Sequence, residues 1–342
     1  MLPLDHFDYE LADSSIAQTP CEPRDAARLL DAVSSPSSPP QHRHVRDLAA
    51  LVEPGDVIVV NDTRVLPARL GLRKQTGGAA EVMLLDEHGE GWWRALVRPS
   101  RRIAAGSVLQ SADGEDAQDA VVVADDLGDG VRLVRPATGE AMHELAHRLG
   151  QVPLPPYITS GYDNPERYQT VYARNERSVA APTAGLHFTP ALMEQCRQAG
   201  AEIVTVELAV GLGTFRPIMV DDVNEHTMHA EHFHVPSEVL DACRGAKRVI
   251  AIGTTSVRAL ESAATLGQSS GSTELFISPG YEFKVVDVLL TNFHQPKSSL
   301  LVMLAAFAGE RWRDLYAVAG DEGYRFLSFG DAMIVDRSGA AS

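Results

Sequence analysis

Between Arg64 and Val152 the chain is punctuated differently from what precedes and follows it, and this interruption constrains the fold more than any other feature. Short apolar runs (Ala80 to Leu85, Trp92 to Val97, Ala120 to Ala124, Val131 to Val134) are separated by stretches such as Asp86-Glu-His-Gly89 and Asp126-Leu-Gly-Asp-Gly130. Closely spaced short strands with Gly and Asp turns between them predict a small all-β barrel or sandwich. Just before this region, Asp56-Val-Ile-Val-Val-Asn61 reads as a buried strand entering a turn. After Leu154-Pro-Pro-Tyr-Ile158 strands and helices alternate. Helices are expected at Pro190 to Ala199 (closed by Gly200), Ser237 to Ala246, Ser256 to Ala264 and Ser298 to Ala308. Strands are expected at Glu202 to Val210, Arg248 to Ile252, Glu274 to Ser278 and Lys284 to Leu290. Upstream, Arg24-Asp25-Ala-Ala-Arg28-Leu-Leu predicts a helical or turn-like start, and Ser34 to Pro40 a loop. The expected fold class is α/β: a discontinuous mixed-sheet catalytic domain, residues 1–64 and 153–342, with an inserted small all-β barrel-like domain, residues 65–152.

Composition narrows the function. The chain has 342 residues, enough for about two domains at roughly 150 residues each. Three scattered cysteines, Cys21, Cys196 and Cys243, exclude a disulfide scaffold and a Cys-rich zinc module, so a reducing compartment is expected. The opening residues lack a basic stretch followed by an apolar one, and the apolar run Ser299 to Gly309 falls short of the ~20 residues a membrane helix needs. A cytoplasmic protein is expected. The net charge of −16 argues against a sequence-independent nucleic-acid binder. Yet Arg64, Arg69, Arg73, Lys74, Arg94, Arg98, Arg101 and Arg102 lie in one stretch that carries only four acidic residues. On charge alone a solvated strand face is the plainer reading; a specific polyanion partner is the alternative.

Six motifs place chemistry at the ends of expected elements. Val249-Ile-Ala-Ile-Gly253-Thr254-Thr255-Ser256-Val-Arg258 is a strand stopping at glycine before a hydroxyl-capped helix, whose free N–H groups can hold an anion and whose Arg258 could add a charge-assisted bond. Val210-Gly211-Leu-Gly213-Thr-Phe215 has the look of a dinucleotide glycine loop, but Arg216-Pro217 follows where that loop must open a helix. A tight turn is the better reading. Glu225-His226-Thr-Met-His229-Ala-Glu231-His232-Phe-His234 has a metal site's composition without its helical spacing, so no metal is expected. Val179-Ala-Ala-Pro-Thr183-Ala-Gly185-Leu-His187-Phe188 combines small residues with one imidazole able to move a proton. Gly280-Tyr281 with Lys284-Val-Val-Asp287, and Thr291-Asn-Phe-His294, put polar groups at strand ends, where open α/β sheets form crevices.

Taken in order, these stretches resemble the S-adenosylmethionine:tRNA ribosyltransferase-isomerase family of queuosine biosynthesis. Further matching stretches are Ile16-Ala-Gln-Thr-Pro20, Asn61-Asp-Thr-Arg-Val-Leu-Pro-Ala-Arg69, Leu96-Val-Arg-Pro-Ser100, Pro153-Leu-Pro-Pro-Tyr-Ile158, Arg167-Tyr-Gln-Thr-Val-Tyr172, and Tyr324-Arg-Phe with Gly330-Asp-Ala-Met333. The chain departs from the pattern at Glu176-Arg177, where the family has Pro-Gly, and at Gln295; His232 and His234 lie outside the pattern. The resemblance implies transfer of the ribosyl portion of S-adenosylmethionine to the aminomethyl group of a 7-deazaguanine at the tRNA wobble position. That group is isomerised to an epoxycyclopentane, and adenine and methionine leave. It implies His187 or His294 as the acid–base residue, with Asp287 and Asp331 as alternatives. Thr183, Gly185, Gly211, Gly213, Thr254, Thr255, Arg258 and Tyr281 are implied in the nucleoside pocket, and Arg64, Arg69, Arg98, Arg101 and Arg102 on tRNA. S-adenosylmethionine is a consumed co-substrate; no metal, resident cofactor or membrane is implied, and a monomer is expected.

Overall fold

A computed structural model describes residues 2–33, 39–111, 118–160, 164–211 and 218–337. They form two compact units, one of residues 1–63, 155–175 and 181–342, the other of residues 64–154 and 176–180.

The larger unit is built on a mixed sheet. Among the described residues it has nine strands, in the spatial order Ser270–Thr273, Glu231–His234, Glu202–Leu208, Val57–Asn61, Val249–Ile252, Val288–Asn292, Ala332–Asp336, Arg28–Asp31 and Gln41–His44. The four central strands, Glu202–Leu208 to Val288–Asn292, run parallel. Alternation along them feeds two cores. Val57, Val59, Val249 and Ala251 pack on one face with the helices Thr254–Leu266 and Ser299–Ala308. Ile58, Val60, Ile250 and Ile252 pack on the other with Phe188, Leu192 and Cys196. A strand buried on both faces must be apolar throughout, which is why Val57-Ile-Val-Val-Asn61 reads as it does.

Local physics explains where the sequence expectation shifts. Leu29 and Leu30 lie in a strand, not a helix, because Arg28–Asp31 finds a parallel partner in Ala332–Asp336. The strand expected at Glu274 to Ser278 is instead Ser270–Thr273. The one expected at Lys284 to Leu290 begins only at Val288. There the amides of Lys284, Val285 and Val286 donate to the buried Glu261 carboxylate, and amides spent on a side chain cannot join a ladder. Residues 34–38 of the expected Ser/Pro loop, and Gly213 with the rest of the turn at 212–217, lie outside the described residues.

The smaller unit is a closed antiparallel barrel. Its strands follow the order Arg69–Lys74, Ala79–Gly89, Trp92–Arg98, Val131–Pro136, Asp119–Gly128 and Val108–Ser111, and the last pairs back with the first. Alternate residues such as Leu70, Val82, Ala95, Val121 and Val134 fill the interior. The hairpin turns sit later than the sequence suggests. Asp86 to Gly89 and Asp126 to Gly128 still belong to strands, and the reversals fall on Glu90-Gly91 and Asp129-Gly130. All four of these residues have positive φ, as the tight two-residue turns that match strand twist require.

Candidate functional site

The parallel strands Val249–Ile252 and Val288–Asn292 end side by side, and the 3-10 turn Thr183–His187 packs across the second of them. A pocket of about 40 Å³ opens there, lined by Thr183, Gly253, Thr254, Thr255, Asn292 and His294 among others. It shares Thr183, Asn292, His294 and Leu300 with an adjoining cleft of about 330 Å³, whose wall also includes Asp13, Ile16, Tyr157 and Ser328. That is the size range of small-ligand sites, at the carboxyl ends of parallel strands where such sites form.

Gly253 makes one wall possible. Its φ of 84° and ψ of 155° belong to a region that only glycine enters at low cost, and it turns the buried strand directly into the helix Thr254–Leu266. The Thr254 and Thr255 amides precede any helix carbonyl that could accept them, whereas those of Ser256 and Val257 bond the Gly253 carbonyl. Thr255 is buried, and its Oγ1 has no hydrogen-bond partner. Free amides and an orphaned hydroxyl at a helix N-terminus suit a carboxylate.

The lining also carries a chain of polar groups. Thr183 Oγ1 lies 2.9 Å from Asn292 Oδ1, Asn292 Nδ2 lies 3.2 Å from His187 Nε2, and the same Nδ2 lies 3.3 Å from the Asp331 carbonyl. Burial pushes the His187 imidazole down to about 3, reinforced by Arg167, Arg325 and Arg24, so it is neutral at pH 7. His294, 3.0 Å from Thr291 Oγ1, is pushed down to about 3 by burial alone. Its backbone is held on both sides, its amide donating to Tyr316 Oη at 2.8 Å and its carbonyl accepting from Tyr9.

The structure gathers some of the residues expected from sequence and disperses others. Thr183, Thr254, Thr255 and His294 line the pocket. His187 is not among the lining residues and lies behind Asn292, whose Nδ2 is 3.2 Å from its Nε2. Gly185 is a packing glycine: a Cβ there would sit 2.9 Å from Thr170 Cγ2 and collide with Tyr172 Oη. Arg258 turns away from the pocket to a buried ion pair with Glu231, whose other oxygen accepts the Gly211 amide at 3.1 Å. Tyr281 is bound at the far part of the same helix, to Glu261 at 3.1 Å, and is pushed up to about 12 chiefly by burial. Asp287 sits at the opposite end of its strand, roughly 17 Å from Asn292 at 3.3 Å per residue. It accepts the Val249 amide at 2.9 Å, a sheet contact far from the pocket. Asp331 spends its carboxylate on the Arg28 and Arg325 amides, at 3.0 and 2.8 Å. Sequence reasoning passed over Asn292 and Asp13; Asn292 lay inside a recognised motif but was outranked by the adjacent histidine. Among the described residues no group of His, Cys, Asp and Glu could hold a metal ion.

In the barrel, Arg64 pairs with Glu176 at 3.5 Å and Arg69 with Glu81 at 3.7 Å. Arg98, Arg101 and Arg102 are exposed. Arg94 is held bidentately by Asp86.

Comparison with known proteins decides the family. Residues 4–335 match the family model described as queuosine biosynthesis protein. The chain belongs to this family. It is 48% identical over 97% of its length to the S-adenosylmethionine:tRNA ribosyltransferase-isomerase of Moorella thermoacetica, covering 99% of that protein. It is likewise 48% identical to the Thermus thermophilus protein of that name, with the same two coverages. It also resembles the crystal structure of S-adenosylmethionine tRNA ribosyltransferase from Thermotoga maritima, with a TM-score of 0.53 and 34% identity over 96% of this chain and 99% of that one. The family membership accounts for the ordered motifs from Ile16 to Met333.

Proposed function

We propose that the chain is an S-adenosylmethionine:tRNA ribosyltransferase-isomerase. It moves the ribosyl moiety of S-adenosylmethionine onto the 7-aminomethyl-7-deazaguanine at the tRNA wobble position and isomerises it, giving epoxyqueuosine-tRNA, adenine and methionine. The observation that carries this reading is full-length membership of the family together with a cleft at the strand ends that offers an anion-favouring helix N-terminus on one wall and neutral polar groups on the other.

The chemistry asks for three things. The sulfonium acidifies the C5′ hydrogens, so a positioned base can form an ylide; departing adenine needs a proton; and the methionine carboxylate needs an anchor. Thr254, Thr255 and the free amides of their helix suit the anchor. His294, in the pocket wall and neutral at pH 7, is the imidazole assigned to the proton transfers. Asp13, the carboxylate in the cleft wall, suits a cationic group of either substrate. S-adenosylmethionine is consumed, and the reading calls for no resident cofactor. It places the enzyme in the cytoplasm, as a monomer; among the described residues no helix is long and apolar enough to cross a membrane.

Incubation with S-adenosylmethionine and tRNA bearing the aminomethyl deazaguanine releases adenine stoichiometrically with modified tRNA; no release from authentic substrate refutes the reading. The barrel arginines supply a second test. The triple variant R98Q/R101Q/R102Q binds tRNA more weakly, and the slope of log K against log salt flattens by about 0.7–0.9 for each phosphate that is no longer neutralised, up to ~2–3 in all. An unchanged slope removes these residues from the tRNA interface.

A further inference from the structure

We infer that Thr183 is a substrate-contacting residue whose hydroxyl oxygen is fixed as a hydrogen-bond acceptor by a one-way chain through Asn292 to His187. This rests on the function proposed above and adds the polarity of one wall of its site.

One carbonyl sets the direction. Asn292 Nδ2 lies 3.3 Å from the Asp331 carbonyl, and a carbonyl oxygen can only accept, so the amide cannot be turned the other way. The Asp331 carbonyl is itself fixed, because the carboxylate of that residue grips the Arg28 and Arg325 amides. The second Nδ2 hydrogen then points at His187 Nε2, 3.2 Å away, which must be the unprotonated nitrogen. The ring proton is left on Nδ1. The Arg24 backbone hydrogen-bonds the same ring in the sense that favours its protonated form, as a carbonyl accepting from Nδ1–H does. With its amide so placed, Asn292 presents Oδ1 to Thr183, and an amide oxygen only accepts. The single Thr183 hydroxyl proton is thus spent on Asn292, and two lone pairs remain toward the cleft that Thr183 lines.

The consequence is a division of labour within one cavity. The Thr254–Thr255 wall offers donors and takes an anion. The Thr183 wall offers an acceptor and repels a carboxylate or phosphate oxygen, so its ligand is an O–H or N–H donor. Two sources supply one: a ribose hydroxyl or ammonium of S-adenosylmethionine, or the aminomethyl nitrogen of the tRNA base.

Thr183→Val keeps the side-chain shape and removes the oxygen. The expected result is a 10- to 100-fold fall in kcat/KM for adenine release, a melting temperature lowered by only a few degrees by the unpaired Asn292 oxygen, and recovery of both in Thr183→Ser. Calorimetry with S-adenosylmethionine alone separates the sources: weakened binding in Thr183→Val assigns the donor to that nucleoside, and unchanged binding with a raised KM for tRNA assigns it to the base. Wild-type kinetics and wild-type binding in a folded Thr183→Val protein overturn the contact. Imidazole ¹⁵N NMR of the wild type tests the direction without activity: His187 is expected as the Nδ1–H tautomer, and a proton on Nε2 overturns the chain. If wild-type protein releases no adenine, the proposed function fails while the NMR result still decides the direction.

Discussion

Arg258→Met lowers the stability of the larger unit by about 3–5 kcal/mol, because it removes the cation paired with the buried Glu231 carboxylate. The two side chains are 4% and 2% exposed, so neither charge can be rescued by water. Arg258 also donates from Nε to the Leu275 carbonyl at 3.3 Å, and Glu231 Oε1 holds the Gly211 amide, so the pair ties a helix to two neighbouring segments. At roughly 2–4 °C per kcal/mol for a unit of this size, the melting temperature falls by about 10 °C. The check is a double-mutant cycle by denaturant unfolding. Arg258→Met combined with Glu231→Leu regains most of the loss, since replacing both charges with apolar groups removes the desolvation cost along with the attraction. A single variant as stable as the wild type would show that the pair is solvated, and with it that Arg258 remains free to reach a ligand.

Stability also falls on mild acidification, with His187 and His294 responsible. Both are pushed down to about 3 from the usual value near 6.5. Between those limits the unfolded chain binds protons that the native chain does not, so each histidine favours folding at pH 7 and loses that contribution as pH drops through 6.5. At a limiting 1.36 kcal/mol per pH unit, each is worth roughly 2 kcal/mol between pH 6.5 and pH 5. The surface carboxylates held low by cationic or hydrogen-bonding partners, such as Glu53, the half-buried Glu140 and Glu310, matter only below this window. Asp62 works in the opposite sense, because burial raises it and acid relieves the cost of its charge. Denaturant midpoints measured from pH 7 to pH 5 give the slope, and His187→Gln/His294→Gln flattens it. An equal slope in the double variant would mean that the two rings take up protons freely in the folded state.

The candidate site was legible to the degree that it is local. Gly253 followed by Thr254 and Thr255 announces a helix N-terminus because stopping a strand, turning and capping are all decided within a few residues. The same locality explains the misplaced neighbours. Arg258 lies one turn into that helix, and its direction depends on a carboxylate 27 positions earlier. Tyr281 and Asp287 flank a segment whose amides are captured by Glu261, which a propensity argument cannot see. Histidines draw notice by chemistry, so His294 outranked Asn292 within one motif, although both meet the pocket.

By itself the sequence determined the fold class, a mixed α/β body with a β-barrel-like unit, since strand and helix periods and turn chemistry are written in nearest neighbours. It also determined the family, because the motifs recur in order along nearly the whole chain. Only the tertiary structure decided which polar groups share a hydrogen bond and in which direction. Asn292 meets His187 and Thr183 across 105 and 109 positions, and its amide is oriented by a carbonyl 39 positions on. Contacts of that span are fixed by how the sheet brings strand ends together, and a proton's place depends on every partner at once.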